Sequence, residues 1–460
     1  MGIGKHYSNP KICGCQIKTV LFIQNSKRGK PKKGEFVLKA NESVKNYEST
    51  RRMYANYTAR SIKKVCKEIG PRFAGSEEEK KSIEYMAEDL KTCCNEVKTE
   101  SYTVSPKAFL GWIPFSVVLM TVACILFFVA QFFGIAPVFY VSIGLTAVCL
   151  FSIITEFLFY KETLDPFLPK KTSHNAYGIR KPSGEVKRRI IFCGHADSSM
   201  EWRFTYWGGP KLVIPVIGGS LVGIIVALVF GVIAAVKCAL DPEFVNSTVL
   251  DVFSYILFGF NVIFLVASLF YDKKRIVEGA NDNLTGCFAS IAILKYLEDN
   301  GISLENTEVV ALCAGSEEIG LRGSKYFSEQ HGKEFSDVET VFVALDTLRD
   351  YDFMAIYNKD MTGTVKNDPD ACRLVKEGAK LAGFDVPYKT VSLGATDAAA
   401  VTKSKSGMKA TAFAAMDPAP ARYYHTRLDT HENLDLKTIE ACLDICLNTL
   451  FLYDEKGLDV

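Results

Sequence analysis

Histidine is scarce in this chain, with six among 460 residues. Cysteine is common, at 14 residues, but no C-x-x-C pair occurs, and the thiols are scattered through apolar runs such as VACIL, IIFCGH and VVALCAG. That spacing excludes the usual zinc ribbons and dithiol motifs and favours reduced, buried thiols over a disulfide framework. The CGC of Cys13 to Cys15 is too tight for a usual zinc knuckle, and Cys442 with Cys446 fits one face of a last amphipathic helix. An excess of one charge is missing too: 54 basic residues stand against 52 acidic ones, a net of +2. With no global field, no nucleic-acid motif and no GxxxxGK[ST] phosphate loop, no nucleic-acid partner is expected. VLFIQ near the start is too short for the apolar core of a signal peptide.

What is present is hydrophobic: 48% of residues are apolar. Four runs, 109–133, 135–160, 212–236 and 249–270, reach the ~20 residues needed to cross a bilayer. VVLMTVACILFFVAQFF and IIVALVFGVIAAV carry no charge at all. GIAPV separates the first two and KCALDPEFVNST the last two, so they read as transmembrane hairpins spanning 109–160 and 212–270. Their free ends then lie on one side, and the polar segments 41–108, 161–211 and 271–460 share one compartment. Basic residues crowd that side, as in YKETLDPFLPKK and YDKKR, whereas the far connections hold Lys237 against Asp241 and Glu243. The positive-inside rule then predicts an integral protein of the cell membrane, contacting lipid, with its polar domain in the cytoplasm. The tail 1–40 includes SKRGKPKK and reads as a solvated basic arm.

The polar segments alternate strand and helix. KRRIIFCG, TEVVALCAG and ETVFVALD are short β-rich runs, while GCFASIAILKYLEDN, DACRLVKEGAKLAG and LKTIEACLDICLNTLFLYDE have helical periodicity. An α/β fold follows, with a mixed, largely parallel sheet sandwiched by helices. In such sheets chemistry collects beyond the carboxyl ends of the strands.

Those ends carry His195 and Asp197 in CGHADSS, Glu317 and Glu318 in AGSEEIG, and Asp346 in ALDTL. Asp282 sits in GANDNLTG and His425 in YYHTRLDT. Taken alone, GANDNLTG is an Asn/Asp/Gly turn entering a helix. Bland readings must, however, be invoked separately at every one of these places. Two histidines and three carboxylates suit zinc, at about 2.0 to 2.2 Å. Two Zn²⁺ bring four positive charges against three carboxylates, leaving one unit for a bound hydroxide, which fits a dinuclear hydrolytic site. Cobalt or manganese would suit the same donors. Glu317, next to a ligand but pointing differently on the pleat, is left as general base.

These motifs resemble the M28 zinc aminopeptidases. That family's H-x-D, G-x-[ND]-D-N-x-[ST]-G, S-E-E-x-G-L-x-G-S, strand-end Asp and H-T-x-x-D-T are matched in order by HAD, GANDNLTG, SEEIGLRGS, LDT and HTRLDT. IGPRFAGSEEEKKSIEYMAEDL looks like its opening helix-turn-helix, and the resemblance extends over 55–108 and 172–455. It implies a zinc-dependent exopeptidase fold and a metallo-exopeptidase that removes N-terminal residues from peptides. His195 and Asp346 would hold one zinc, Glu318 and His425 the other, and Asp282 would bridge them, followed by a non-proline cis peptide. Asp197 would orient His195. Glu317 would pass a proton from water to the leaving amine, and Tyr424, in competition with Tyr423, would face the oxyanion. The hairpins depart from the family pattern, and GATDAAAV lacks an aromatic residue, which leaves side-chain preference open. A catalytically silent receptor or scaffold, a transporter accessory part, and a glutaminyl cyclase or carboxypeptidase are the competing readings. The sequence sets no oligomeric state.

Overall fold

The computed structural model describes residues 51–419 and 421–460. The basic arm 1–40, with Cys13 and Cys15, and residues 41–50 lie outside the described residues. Two helices, α1 (Arg51–Glu68) and α2 (Glu77–Leu90), precede β1 (Glu96–Val104). Long helices α3 (Trp112–Phe132) and α4 (Val138–Ser152, prolonged by a π turn at Ile153–Leu158) lead to β2 (Lys171–Arg180) and β3 (Arg188–His195). There follow β4 (Met200–Trp202), α5 (Arg203–Gly208), the long helices α6 (Pro210–Leu240) and α7 (Thr248–Ala267), and β5 (Tyr271–Ile276). The remainder is α8 (Thr285–Asp299), β6 (Thr307–Ala314), α9 (Arg322–Phe335), β7 (Glu339–Leu348), β8 (Met354–Asp360) and β9 (Val365–Lys366). Last come α10 (Pro369–Leu381), β10 (Tyr388–Thr390), α11 (Asp397–Ser404), β11 (Lys409–Ala415) and α12 (Leu436–Lys456).

The main sheet runs β1-β2-β6-β3-β7-β11-β8-β10, with β9 on β8. Its centre, β6-β3-β7-β11, is parallel, while β1/β2, β2/β6 and β8/β11 are antiparallel. All eight positions of β6 are buried, which explains its continuous apolar run: helices cover both faces of a central parallel strand. Ile190, Phe192, Val309 and Val343 pack toward α1, α8 and α12, whereas Ile191, Val310 and Phe342 pack toward α9 and α11. Helix α2 starts where its sequence says it should. Ser76 Oγ accepts the Glu79 N–H at 3.1 Å, and three glutamates fill the first turn.

Among the described residues, four helices are long and apolar enough to cross a membrane: α3, α4 with its π turn, α6 and α7. Their ends differ from the apolar runs. Helix α6 is 31 residues long, and Phe109 and Leu110 stand in turns ahead of α3. Small residues set the spacing of these helices. A Cβ on Gly223 would lie 2.6 Å from Phe260, and one on Gly231 2.8 Å from Ile143. At one end the two connecting turns meet, and Gln131 of α3 hydrogen-bonds Asp251 of α7. At the other end Trp112 packs on Phe157, with ring centroids 5.6 Å apart.

The insertions leave the sheet intact for a topological reason. The chain departs at Val104 and returns at Lys171, which face each other across β1/β2. It departs again near Trp202 and returns at Tyr271, partners across the β4/β5 ribbon. Each pair of long helices therefore replaces the loop between antiparallel neighbours, whose ends are adjacent anyway.

Candidate metal centre

His195 ends β3, and Asp346 lies near the end of β7. Glu317 and Glu318 follow β6 in a turn that begins at Ser316, φ 54°. Their side chains diverge in that turn, which corrects the expected alternation on a pleat: β6 already stops at Ala314. Asp282 occupies the turn Ala280–Leu284, and the Asp282–Asn283 peptide is cis. His425 stands in the loop after β11 at φ 52°. Its carbonyl accepts the Trp202 N–H at 2.7 Å, and the Trp202 ring meets its imidazole edge-on at 4.4 Å. Buried Glu201 grips Arg427 in the same loop through two bonds of 2.6 Å. The β4/β5 ribbon, the root of the second helix pair, thus holds the His425 loop in place.

These residues converge. Asp282 Oδ1 is 3.2 Å from His195 Nε2, and Asp282 Oδ2 is 3.0 Å from His425 Nε2. Glu318 Oε2 is 3.1 Å from the same His425 nitrogen. One ligand atom each from His195, Asp282 and Asp346 fall within 4.8 Å of one another, and so do atoms from Asp282, Glu318 and His425. Asp282 is common to both groups. A third group, Cys66, Glu278 and His431, meets the same distance limit but does not line the cavity described below.

Packing so many like charges together has electrostatic consequences. Burial pushes the Asp346 carboxyl up to about 7, with the Asp282 charge adding to it, and burial carries Glu317 well above the usual range and raises Glu318. Burial would lower both imidazoles. The Glu317 charge, with the Asp197 and Asp282 carboxylates close by, nevertheless takes His195 well above its usual value, and Glu318 with Asp282 takes His425 to about 10. Asp282 is also opposed by burial, but the two histidines facing it hold it low. Buried Glu318 Oε1 and Asp282 Oδ2 have no hydrogen-bond partner. Unsatisfied oxygens facing imidazole nitrogens around one carboxylate suit divalent cations, and this donor set fits zinc.

The cluster is held from behind. Asp197 accepts the Glu317 and Glu318 N–H groups at 3.0 and 3.1 Å, and its Oδ1 is 3.4 Å from His195 Nδ1. Three residues that sequence reasoning left without a role do comparable work. Asp429 accepts the backbone N–H of Asn281 and of Asp282 at 2.8 and 3.1 Å. Arg72, fully buried, donates to the carbonyls of Ala196, Glu278 and Gly279. Glu79 accepts from Ser316 N–H at 2.8 Å and Gly75 N–H at 2.8 Å. All three lie inside stretches already quoted, IGPRFAGSEEEKKSIEYMAEDL and HTRLDT, which marked the segments but not these roles. The two tyrosines separate cleanly. Tyr423 donates to Asp350 at 2.8 Å, whereas Tyr424 stacks on His425 at 3.9 Å and lines the same cavity as Asp282, Glu317 and Asp346.

Residues 263–450 carry the sequence pattern of Peptidase family M28. No curated protein matches the chain. Among solved structures, the chain is similar to an aminopeptidase from Aneurinibacillus sp. strain AM-1, at 14% identity and TM-score 0.50, over 88% of this chain and 95% of that one. It is also similar to BSAP, a zinc aminopeptidase from Bacillus subtilis, at 15% identity and TM-score 0.49, over 87% and 95%. A Bacteroides thetaiotaomicron glutaminyl cyclase bound to N-acetylhistamine follows at 13% and 0.48, over 88% and 97%. The sheet and its helical layers are those of the zinc exopeptidase fold.

Proposed function

We propose that this chain is a membrane-anchored dinuclear zinc aminopeptidase. The observation that carries the reading is Asp282, which turns one carboxylate oxygen toward each of two histidines. His195 and Asp346 would hold one metal, His425 and Glu318 the other, and Asp282 both. Zinc bound there would acidify water and polarise the scissile carbonyl. Glu317, 3.7 Å from His195 Nε2 and facing the cavity, takes the proton from water and returns it to the departing amine. Asp197 keeps the His195 ring and the Glu317–Glu318 backbone in register. Tyr424 presents its ring side to the cluster and is the hydroxyl available to a developing oxyanion. The four long apolar helices anchor the chain, and the charge bias of their flanks supports a peptidase face in the cytoplasm.

The test is metal analysis beside turnover of free and N-acetylated peptides by purified protein. Two zinc ions per chain and cleavage restricted to free N-termini are expected. One metal with cyclisation of N-terminal glutamine would replace this reading with a cyclase, and bound metal without turnover of any peptide would favour a silent receptor.

A further inference from the structure

The metal cluster forms only the polar end of a cavity that continues between the long helices. Trp112, Ser116 and Met120 follow one stripe of α3, and Val216, Ser220 and Ile224 one stripe of α6. Each stripe spans eight residue steps, a depth of roughly 12 Å at the helical rise. Phe264 of α7 and Phe157 of the π turn complete the walls. Among the described residues, the carboxylates and imidazoles lining this space are those of the cluster itself. Ser220 spends its hydroxyl on its own helix, donating to Val216 at 2.7 Å, so that wall is apolar in effect.

Such a space discriminates by chemistry. A polar peptide threaded between these helices would leave backbone N–H and C=O groups without partners, whereas a hydrocarbon chain loses nothing there. The outer faces of the same helices expose Val118, Ile225 and Phe258, as a lipid-facing surface does. The helices that face lipid on the outside therefore also wall the cavity on the inside. On the peptidase reading above, we infer that the substrate is an amphiphilic amide: a long hydrocarbon chain beside the scissile bond lies between α3, α6 and α7, and the amide sits on the cluster. Hydrolysis then breaks the C–N bond, joins the water oxygen to the carbonyl carbon and sends a proton to the amine. The polar product leaves toward the sheet side and the apolar product toward lipid.

The test uses the full chain in detergent with zinc and two series of amino-acid amides, each with alkyl chains from about two to about twelve carbons. One series carries the chain on the acyl-side residue, the other on the leaving amine, which assigns the chain to one side of the bond. In one series kcat/KM should rise about fourfold per methylene, equivalent to about 0.8 kcal/mol at 1.36 kcal/mol per tenfold, and then level off when the cavity is full. Ser116→Phe and Ser220→Phe should each end the rise at a shorter chain. A long-chain amide bearing a photoreactive diazirine should label α3 and α6 even in zinc-free protein, which reads binding without turnover.

A flat chain-length profile in both series, with label absent from α3 and α6, overturns the inference. If short amides are still cleaved, the peptidase reading survives alone. Label on α3 and α6 displaced by long-chain amides, with no amide ever cleaved, keeps the chain site and removes the peptidase. Label displaced by dioleoyl phosphatidylcholine vesicles but not by the amides identifies a structural lipid and also overturns the inference.

Discussion

At the sheet end of the cavity, buried charges are held one by one, with Asp282 fixed by Asp429, His425 by Trp202 and the two glutamates by Asp197. At the helix end, Met120, Ile224 and Phe264 are held by packing alone, with small residues setting how near the helices come. The contrast teaches where precision is needed. Hydrogen bonds fix direction and charge, so the sheet end can poise a reaction. Dispersion and exclusion fix only volume and polarity, so the helix end can select a class of molecule but not orient a proton.

Mutations should therefore fail differently at the two ends. The largest effect is expected within the glutamate pair. Glu317→Gln should lose about 10²- to 10⁴-fold in kcat with zinc content unchanged, while Glu318→Gln should lose metal as well. Elemental analysis beside turnover reads both, and equal zinc loss in the two variants would reverse their assignment. Asp429→Asn keeps size but offers one acceptor where three N–H groups converge, from Asn281 backbone, Asn281 side chain and Asp282 backbone. Zinc affinity should fall about 10- to 100-fold, as measured by competition with a chelating dye. Unchanged affinity would show that the turn holds Asp282 without this support.

Gly223→Val belongs to the other end. Its side chain must displace Phe260 and Phe264, costing about 1 to 3 kcal/mol as a lower thermal midpoint in detergent, with zinc content intact. Parallel loss of zinc would mean the two ends are not separable. The last effect concerns pH. Burial, with the Asp197 charge, raises the Glu79 carboxyl to about 8 in the folded protein, against an ordinary value near 4.5. A raised value means the contribution to stability is full below 4.5 and is lost as pH climbs through 8. In zinc-loaded protein, where the cluster carboxylates stay ionised, the thermal midpoint should decline across that window. The decline should flatten in Glu79→Gln, and an identical slope would assign it to another group.

The strands β3, β6 and β7, the helices α8, α10 and α12, and the four apolar helices were legible because burial imposes a period or an unbroken apolar run. The cluster was legible because charged residues at strand ends have few other reasons to recur. Less could be read of β4, β5 and β8 to β11, which are short and take their pairing from neighbours rather than from pattern. The divergence of Glu317 and Glu318 was misread as pleat alternation, since nothing local marks β6 as ending at Ala314. Arg72 and Glu79 carried no legible role either, because a buried charge and a solvated one look alike in sequence.

By itself, then, the sequence determined which segments could be strand, helix or apolar span, and which residue types were available for chemistry, because periodicity and composition are local properties. Only the tertiary structure decided that Asp282 faces two histidines, that Tyr424 rather than Tyr423 turns to the cavity, and that four apolar helices open onto a cluster of carboxylates. Those are distances between residues far apart in the chain, set by sheet order and by where each helix pair leaves an antiparallel ribbon. No local pattern encodes them.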